Sequence, residues 1–243
     1  MGSIRGLDAP ARPARGHVAE GDAIGAVNDV ERVSDGATSL LLLVPMVIEA
    51  AALRWAVPRA TVLRTGVGPA RAAAAAARAS RLAGAAVAVG GFCGGLTDDL
   101  RPGDIVVASE VRGPSGQPVM CSSEALVATL RARAARAGRA GRAGRGLPRV
   151  FVGPVVSVDH VVRGAERAAL AADGALVVDM ESAWLAPAAA GRPFAVLRVV
   201  LDTPAREVTR PLAMLIAGIT AWRVLRRAGP ALGAWAAVAG GEK

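Results

Sequence analysis

The chain has 243 residues, 53% of them hydrophobic, with 29 Lys and Arg against 20 Asp and Glu for a formal net charge of +9. That is enough apolar material for one sizeable core, and with only Cys93 and Cys121 it excludes a disulfide scaffold. The apolar runs at Leu40–Ile48 and Leu212–Trp222 end at Glu49 and at Arg223, Arg226 and Arg227, too soon to span a bilayer.

Residues 1–38 are rich in Pro, Gly and charge and lack periodicity, so a disordered or loosely attached leader is expected, with no apolar core of a secretory signal. A reduced, cytoplasmic setting follows as the default. From 39 to 228 the chain alternates. A strand is predicted at Leu40–Val44, a helix at Met46–Trp55, a strand at Thr61–Leu63, a helix after Gly68-Pro69 and a strand at Ala85–Val89, which glycines follow. Next come a strand at Asp104–Ser109, a helix at Ser123–Arg136, a strand at Val150–Val156 and a helix at Ala165–Ala172. The last third gives a strand at Leu176–Asp179, a helix at Glu181–Ala190, a strand at Phe194–Leu201 and a helix at Arg210–Arg227, leaving 229–243 as a C-terminal tail. This alternation predicts an α/β fold, a three-layer α/β/α sandwich around a mostly parallel mixed sheet.

The positive charge is concentrated. Seven arginines crowd the segment 131–149, which holds the tandem Ala-Gly-Arg repeat at 137–145; glycine at every third position predicts a solvated loop. Such a cluster attracts lipid headgroups or nucleic acid. With three Phe and no Tyr, the chain lacks the aromatic platforms of single-strand binding, and no nucleic-acid partner is expected.

Two apolar strands end in carboxylates: Val177-Val178-Asp179, which leads into Met180-Glu181-Ser182, and Val199-Val200-Leu201-Asp202. Strand ends in open α/β sheets are where ligands bind. Two glycine-bearing turns, Thr65-Gly66-Val67-Gly68-Pro69 and Gly90-Gly91-Phe92-Cys93-Gly94-Gly95, are expected to bring backbone N–H groups close to a ligand. Neither is GxGxxG and no GxxxxGK[ST] occurs, so dinucleotide and P-loop readings fail. No spacing of His, Cys, Asp and Glu suggests a metal site, and no cofactor is expected.

The order of these pieces resembles the purine nucleoside phosphorylase and uridine phosphorylase superfamily, especially its adenine-releasing nucleosidases for methylthioadenosine and S-adenosylhomocysteine. The similar stretches are Val44-Pro45-Met46-Val47-Ile48-Glu49, Thr65-Gly66-Val67-Gly68, Gly91-Phe92-Cys93-Gly94-Gly95-Leu96, Leu100-Arg101-Pro102-Gly103-Asp104-Ile105-Val106-Val107, Ser157-Val158-Asp159-His160, Asp179-Met180-Glu181-Ser182 and Arg198-Val199-Val200-Leu201-Asp202. They run from about residue 40 to 205. The start of the second helix, Gly66-Val67-Gly68-Pro69-Ala70-Arg71, looks most like the hopanoid-associated branch, which removes adenine from adenosylhopane.

The resemblance implies a role for each matching residue. Asp202 would be the general acid that protonates the leaving purine at N7, a task that needs a carboxyl kept protonated by apolar neighbours such as Val200 and Leu201; its residue type also suits a helix cap before Thr203-Pro204. Glu49 would orient and deprotonate the attacking water, or be an ordinary acid at a helix start. Glu181 would bind the ribose 2′- and 3′-hydroxyls with Met180 packed under the sugar, or simply face a helix dipole. Asp179 is expected as a partner at the strand end rather than as a catalyst. Val161 and Val162 would present main chain to adenine, Val161 standing where relatives often have Phe, and Phe92, Cys93 and Gly94 would complete the base pocket. His160 beside that pocket is read as a solvated or structural imidazole.

Phosphorylase relatives place an Arg before the glycine turn after the third strand, where this chain has Val87-Ala88-Val89, and Pro45 removes a backbone donor at the first strand end. Both departures favour hydrolysis. Gly66, Gly68, Arg71 and Arg198 remain anion-binding candidates should phosphate be the co-substrate. The implied partner is a small or lipid-linked nucleoside. Leu212, Met214, Leu215, Ile216, Trp222 and Trp235 are candidates for an apolar rim that would hold a lipid arm and touch a membrane surface, or for packing on the sheet. Relatives also imply a homo-oligomer. The alternative from another class is a non-catalytic basic module that uses the Arg-rich loop to hold lipid or RNA.

Overall fold

The computed structural model describes residues 30–31, 40–114, 116–139, 149–205 and 211–241. Apart from Val30–Glu31, the expected leader lies outside the described residues, as do 140–148 of the Arg/Gly segment. The elements are β1 (Val30–Glu31), β2 (Leu40–Val44), α1 (Val47–Ala56), β3 (Thr61–Arg64), α2 (Pro69–Ala79), β4 (Ala86–Gly95), β5 (Ile105–Arg112), β6 (Val119–Met120) and α3 (Glu124–Arg139), followed by β7 (Val150–Ser157), α4 (Ala165–Ala172), β8 (Val177–Asp179), α5 (Ser182–Leu185), a 3₁₀ turn at Ala186–Ala189, β9 (Phe194–Asp202) and α6 (Pro211–Ala239).

The strands form one mixed sheet in the order β1-β3-β2-β4-β8-β7-β5-β6. β9 joins β4 in parallel and β5 antiparallel, so β4, β9, β5, β7 and β8 close into a ring within the expected mixed sheet. Alternation along β2 sets the layers. Leu40, Leu42 and Val44 face a core shared with α1, α3 and α6, while Leu41 and Leu43 face one shared with α2 and the 3₁₀ turn. α2 starts with Pro69 at its first turn and is mostly alanine, so its buried Ala72, Ala75, Ala76 and Ala79 let it lie close on the sheet. Among the described residues no helix is long and apolar enough to cross a membrane.

The structure departs from expectation at several elements. The glycines at 90–95 are not a turn: β4 runs on through Gly95 beside β9. Glycine is used there for room, since a Cβ on Gly90 would meet Leu53 at 2.7 Å and one on Gly91 would meet Glu49 Oε1 at 2.6 Å. The helix at 181–190 breaks into α5 and the 3₁₀ turn because Pro187 supplies no N–H. Val30–Glu31, inside the expected leader, pairs antiparallel with Leu63 and Val62, and Val119–Met120 adds a short edge to β5. The tail expected at 229–243 is helix as far as Ala239. Pro230 leaves the carbonyl one turn back without its donor, but Ala231, Leu232, Trp235 and Ala236 are buried beyond it and Trp235 donates its indole N–H to the Ser122 carbonyl at 2.8 Å.

Candidate active site

The sheet opens where β4 loses a neighbour. β2 pairs with β4 as far as Val89, and β8 takes up the same edge only at Gly94. Between them the Phe92 N–H donates to Glu49 Oε1 at 2.6 Å instead of to a strand, and Met46 N donates to Glu49 Oε2 at 2.8 Å. Glu49 thus does cap the start of α1, as an ordinary helix-start acid would, and also reaches across to β4. It is 1% exposed, and burial pushes its carboxyl up to about 7, against the pull of Arg198 and the two N–H donors.

A cavity of about 440 Å³ occupies this opening. Glu49, Phe92, Cys93, Gly94, Val161, Val162, Met180, Glu181 and Asp202 all line it, so the sequence-derived acid, base, sugar and base-pocket candidates meet in one place. Glu181 stands just before α5, where Oε1 accepts the Gly68 N–H at 3.0 Å and Oε2 lies 4.0 Å from Arg198. Burial raises its pKa while Arg198 opposes the rise. Asp179 is saturated. Its Oδ1 accepts Ser157 Oγ at 2.6 Å and the N–H groups of Glu181 and Ser182 at 3.1 Å, and its Oδ2 pairs with Arg198 at 2.7 Å. It fixes the turn that carries Glu181, as a strand-end partner should.

Arg198 differs from its expected role. Fully buried, it serves as the counter-ion behind Asp179, Glu181 and Glu49, and it does not line the cavity where an incoming anion would sit. Cys93 also contributes shape rather than reactivity, because burial pushes its thiol far up. His160 is exposed at the rim, bonded to Asp159 at 2.7 Å and to Glu166 at 2.8 Å, and these bonds raise its pKa. Gly66 and Arg71 line a neighbouring cleft, not this cavity, and Gly68 acts through Glu181.

Sequence reasoning missed Arg167. On α4 and 4% exposed, it donates Nε to the Val162 carbonyl at 3.2 Å and Nη1 to the Gly95 carbonyl at 3.1 Å, and it pairs through Nη2 with Asp202 Oδ2 at 2.7 Å. Asp202 was expected among apolar neighbours alone, whereas a guanidinium holds one of its oxygens and Oδ1 lies over Gly94. In a chain with 29 Lys and Arg, nothing in the sequence singles out position 167. Among the described residues no group of three or more His, Cys, Asp and Glu is placed to hold a metal ion.

Helices on both faces of a mixed sheet, with carboxylates gathered at the strand ends, define a nucleoside phosphorylase-like α/β fold. The model of the Phosphorylase superfamily matches residues 47–221, and the chain belongs to that superfamily. Among solved structures, the 5′-methylthioadenosine/S-adenosylhomocysteine nucleosidase of Colwellia psychrerythraea in complex with adenine is 21% identical, with a TM-score of 0.63 over 80% of this chain and 96% of that one. Futalosine hydrolase of Helicobacter pylori is 17% identical, with a TM-score of 0.65 over 80% and 97%. The Neisseria meningitidis 5′-methylthioadenosine/S-adenosylhomocysteine nucleosidase in complex with methylthio-immucillin-A is 20% identical, with a TM-score of 0.61 over 80% and 99%. At these identities the likeness is one of fold. A search of curated proteins returns no match.

Proposed function

We propose that the protein is a nucleosidase that hydrolyses the N-glycosidic bond of a 5′-substituted adenosine and releases adenine. The observation that carries this reading is the charge around the sugar position: three carboxylates, Glu49, Asp179 and Glu181, gather about the single guanidinium of Arg198. Such an excess of negative charge favours the oxocarbenium-like sugar of the transition state and repels a phosphate nucleophile. Glu49 deprotonates the attacking water, Glu181 binds the ribose hydroxyls over Met180, and Asp202, beside Gly94, delivers a proton to the purine. The backbone of Val161 and Val162, with Phe92, receives the base. Solved structures of similar fold include a nucleosidase in complex with adenine and a futalosine hydrolase, which supports adenine release by hydrolysis.

The test is incubation with adenosine-type nucleosides, with and without phosphate, following free adenine and distinguishing ribose from ribose 1-phosphate. The expected product is ribose, and Asp202→Asn is expected to lower adenine release by about 10²- to 10⁴-fold while nucleoside binding persists. Unchanged release in that variant removes Asp202 from the role of acid. A lipid-linked substrate such as adenosylhopane is a second reading, and it rests only on Leu215, Ile216 and Ile219, which are exposed on α6 and line neither the cavity nor its neighbouring cleft; the side chains of Leu212 and Met214 lie outside those described, Trp222 is half-buried and Trp235 is in the core. Self-association draws support from exposed Val47, Ile48 and Trp55 on α1.

A further inference from the structure

A second cleft, of about 640 Å³, adjoins the nucleoside cavity, and the two share Pro45, Met46 and Val67 as a common wall. Arg64, Arg71 and Arg78 line the cleft, and none of its described lining residues is acidic. Arg71, Ala74 and Arg78 follow the spacing i, i+3, i+7, so α2 turns one face into the cleft while its alanine face is buried in the core. Arg71 packs over Gly66, where a Cβ would meet its Cδ at 2.7 Å, and its Nη1 donates to the Val67 carbonyl at 3.4 Å. Among the described residues neither Arg71 nor Arg78 pairs with a carboxylate. The N-terminal end of α2, with its positive end of the helix dipole, borders the same space.

Position decides what such a site receives. Glu49 and Glu181 belong to the nucleoside cavity and not to the cleft, so an anion held there lies beyond Met46 from the water-activating group. Glu181 is bonded to Gly68, next to Val67 of the shared wall. A ribose with its hydroxyls on Glu181 and its C1′ bonded to a base near Asp202 has one remaining attachment point, the 5′ carbon, to direct past Val67. We propose that this cleft is an anion site, which takes a carboxylate or phosphate carried on the 5′ substituent of the nucleoside. This inference rests on the N-glycosidic reading of the adjoining cavity.

The test uses the full chain and adenosine 5′-thioethers ending in methyl, carboxylate or phosphonate, together with their 7-deaza analogues, which cannot be protonated at the purine 7-position and so report binding alone. The wild type is expected to favour the anionic ends in kcat/KM and in 7-deaza binding. Arg78→Gln and Arg71→Gln are each expected to lower the anionic-to-methyl ratio about 10-fold, and Arg78→Lys to retain most of it. A ratio unmoved by these substitutions overturns the site, as does a wild type that favours the methyl or a long apolar arm. Formation of a 5-thio-substituted ribose 1-phosphate, with phosphate saturation weakened by the same substitutions, also overturns it by making the anion a co-substrate. If no nucleoside loses its base but the 7-deaza thioethers still bind with the anionic preference, the hydrolase reading fails and the anion site stands.

Discussion

Glu49 joins backbone, buried charge and chemistry in one side chain. Its carboxyl titrates at about 7 in the folded protein, against 4.5 for a free glutamate, chiefly because it is buried. A base poised near the operating pH is half deprotonated there and still basic enough to take a proton from water. The rate kcat/KM should therefore rise along an ascending limb centred near pH 7, and Glu49→Gln should abolish that limb and lower activity by about 10²-fold or more. A flat profile across pH 6–8 in the wild type would remove the base role. The same shift has a stability consequence. Between 4.5 and 7 the folded state binds the proton more tightly than the unfolded chain, so the favourable contribution is complete below about 4.5 and is lost as pH rises through about 7. Glu49→Gln, which cannot ionise, should lose the fall in stability that the wild type shows between about pH 4.5 and 7 in urea titrations, while its amide can accept only one of the two N–H groups that the carboxylate accepts.

At the level of elements, α6 shows what a proline does and does not decide. Ala221, Val224, Leu225 and Ala228 are buried on one side, Arg223, Arg226 and Arg227 are exposed on the other, and the same spacing continues through Ala231, Leu232, Trp235 and Ala236. The apolar spacing is present in the sequence beyond Arg227, where the expected helix ends; the burial of Leu232 and Trp235 offsets the backbone cost of Pro230 and carries the helix on. Trp235→Ala should lower unfolding stability by ~3–5 kcal/mol by denaturant titration, and a loss under 1 kcal/mol would mean that the last turns of α6 do not belong to the core. β4 gives the opposite lesson. Its first residues were legible as a strand, but Gly90–Gly95 read as a turn, since only the approach of Leu53, Glu49 and Arg198, from distant parts of the chain, explains glycine inside a strand.

For the whole molecule, the alternation of strands and helices was legible, and so were Asp202 and Glu181, because carboxylates at strand ends are local signals; Glu49, inside α1, was joined to them by the family resemblance. The pairing of Arg167 with Asp202 and the turning of Arg198 inward were not, since both depend on which strands become neighbours. The charge of +9 also separates into parts with different meanings: Arg167 and Arg198 serve the cavity, Arg71 and Arg78 the cleft, and a crowd lies at 131–149. Excising 137–145 should leave adenine release unchanged if the cavity is the working part, whereas a basic lipid- or RNA-holding module would lose its function with that segment. Comparing nucleosidase turnover and vesicle or RNA retention in the same variant separates the two.

β9 is the keystone of the closed ring, the shared neighbour of β4 and β5, and it carries Asp202 at its end. During synthesis both of those strands wait with bare edges until Phe194–Asp202 has left the ribosome, a long-range closure that exposes the nascent chain to sticking. A message cut short before that point yields a product that lacks both the finished ring and Asp202, and it is expected to aggregate and to release no base from nucleosides.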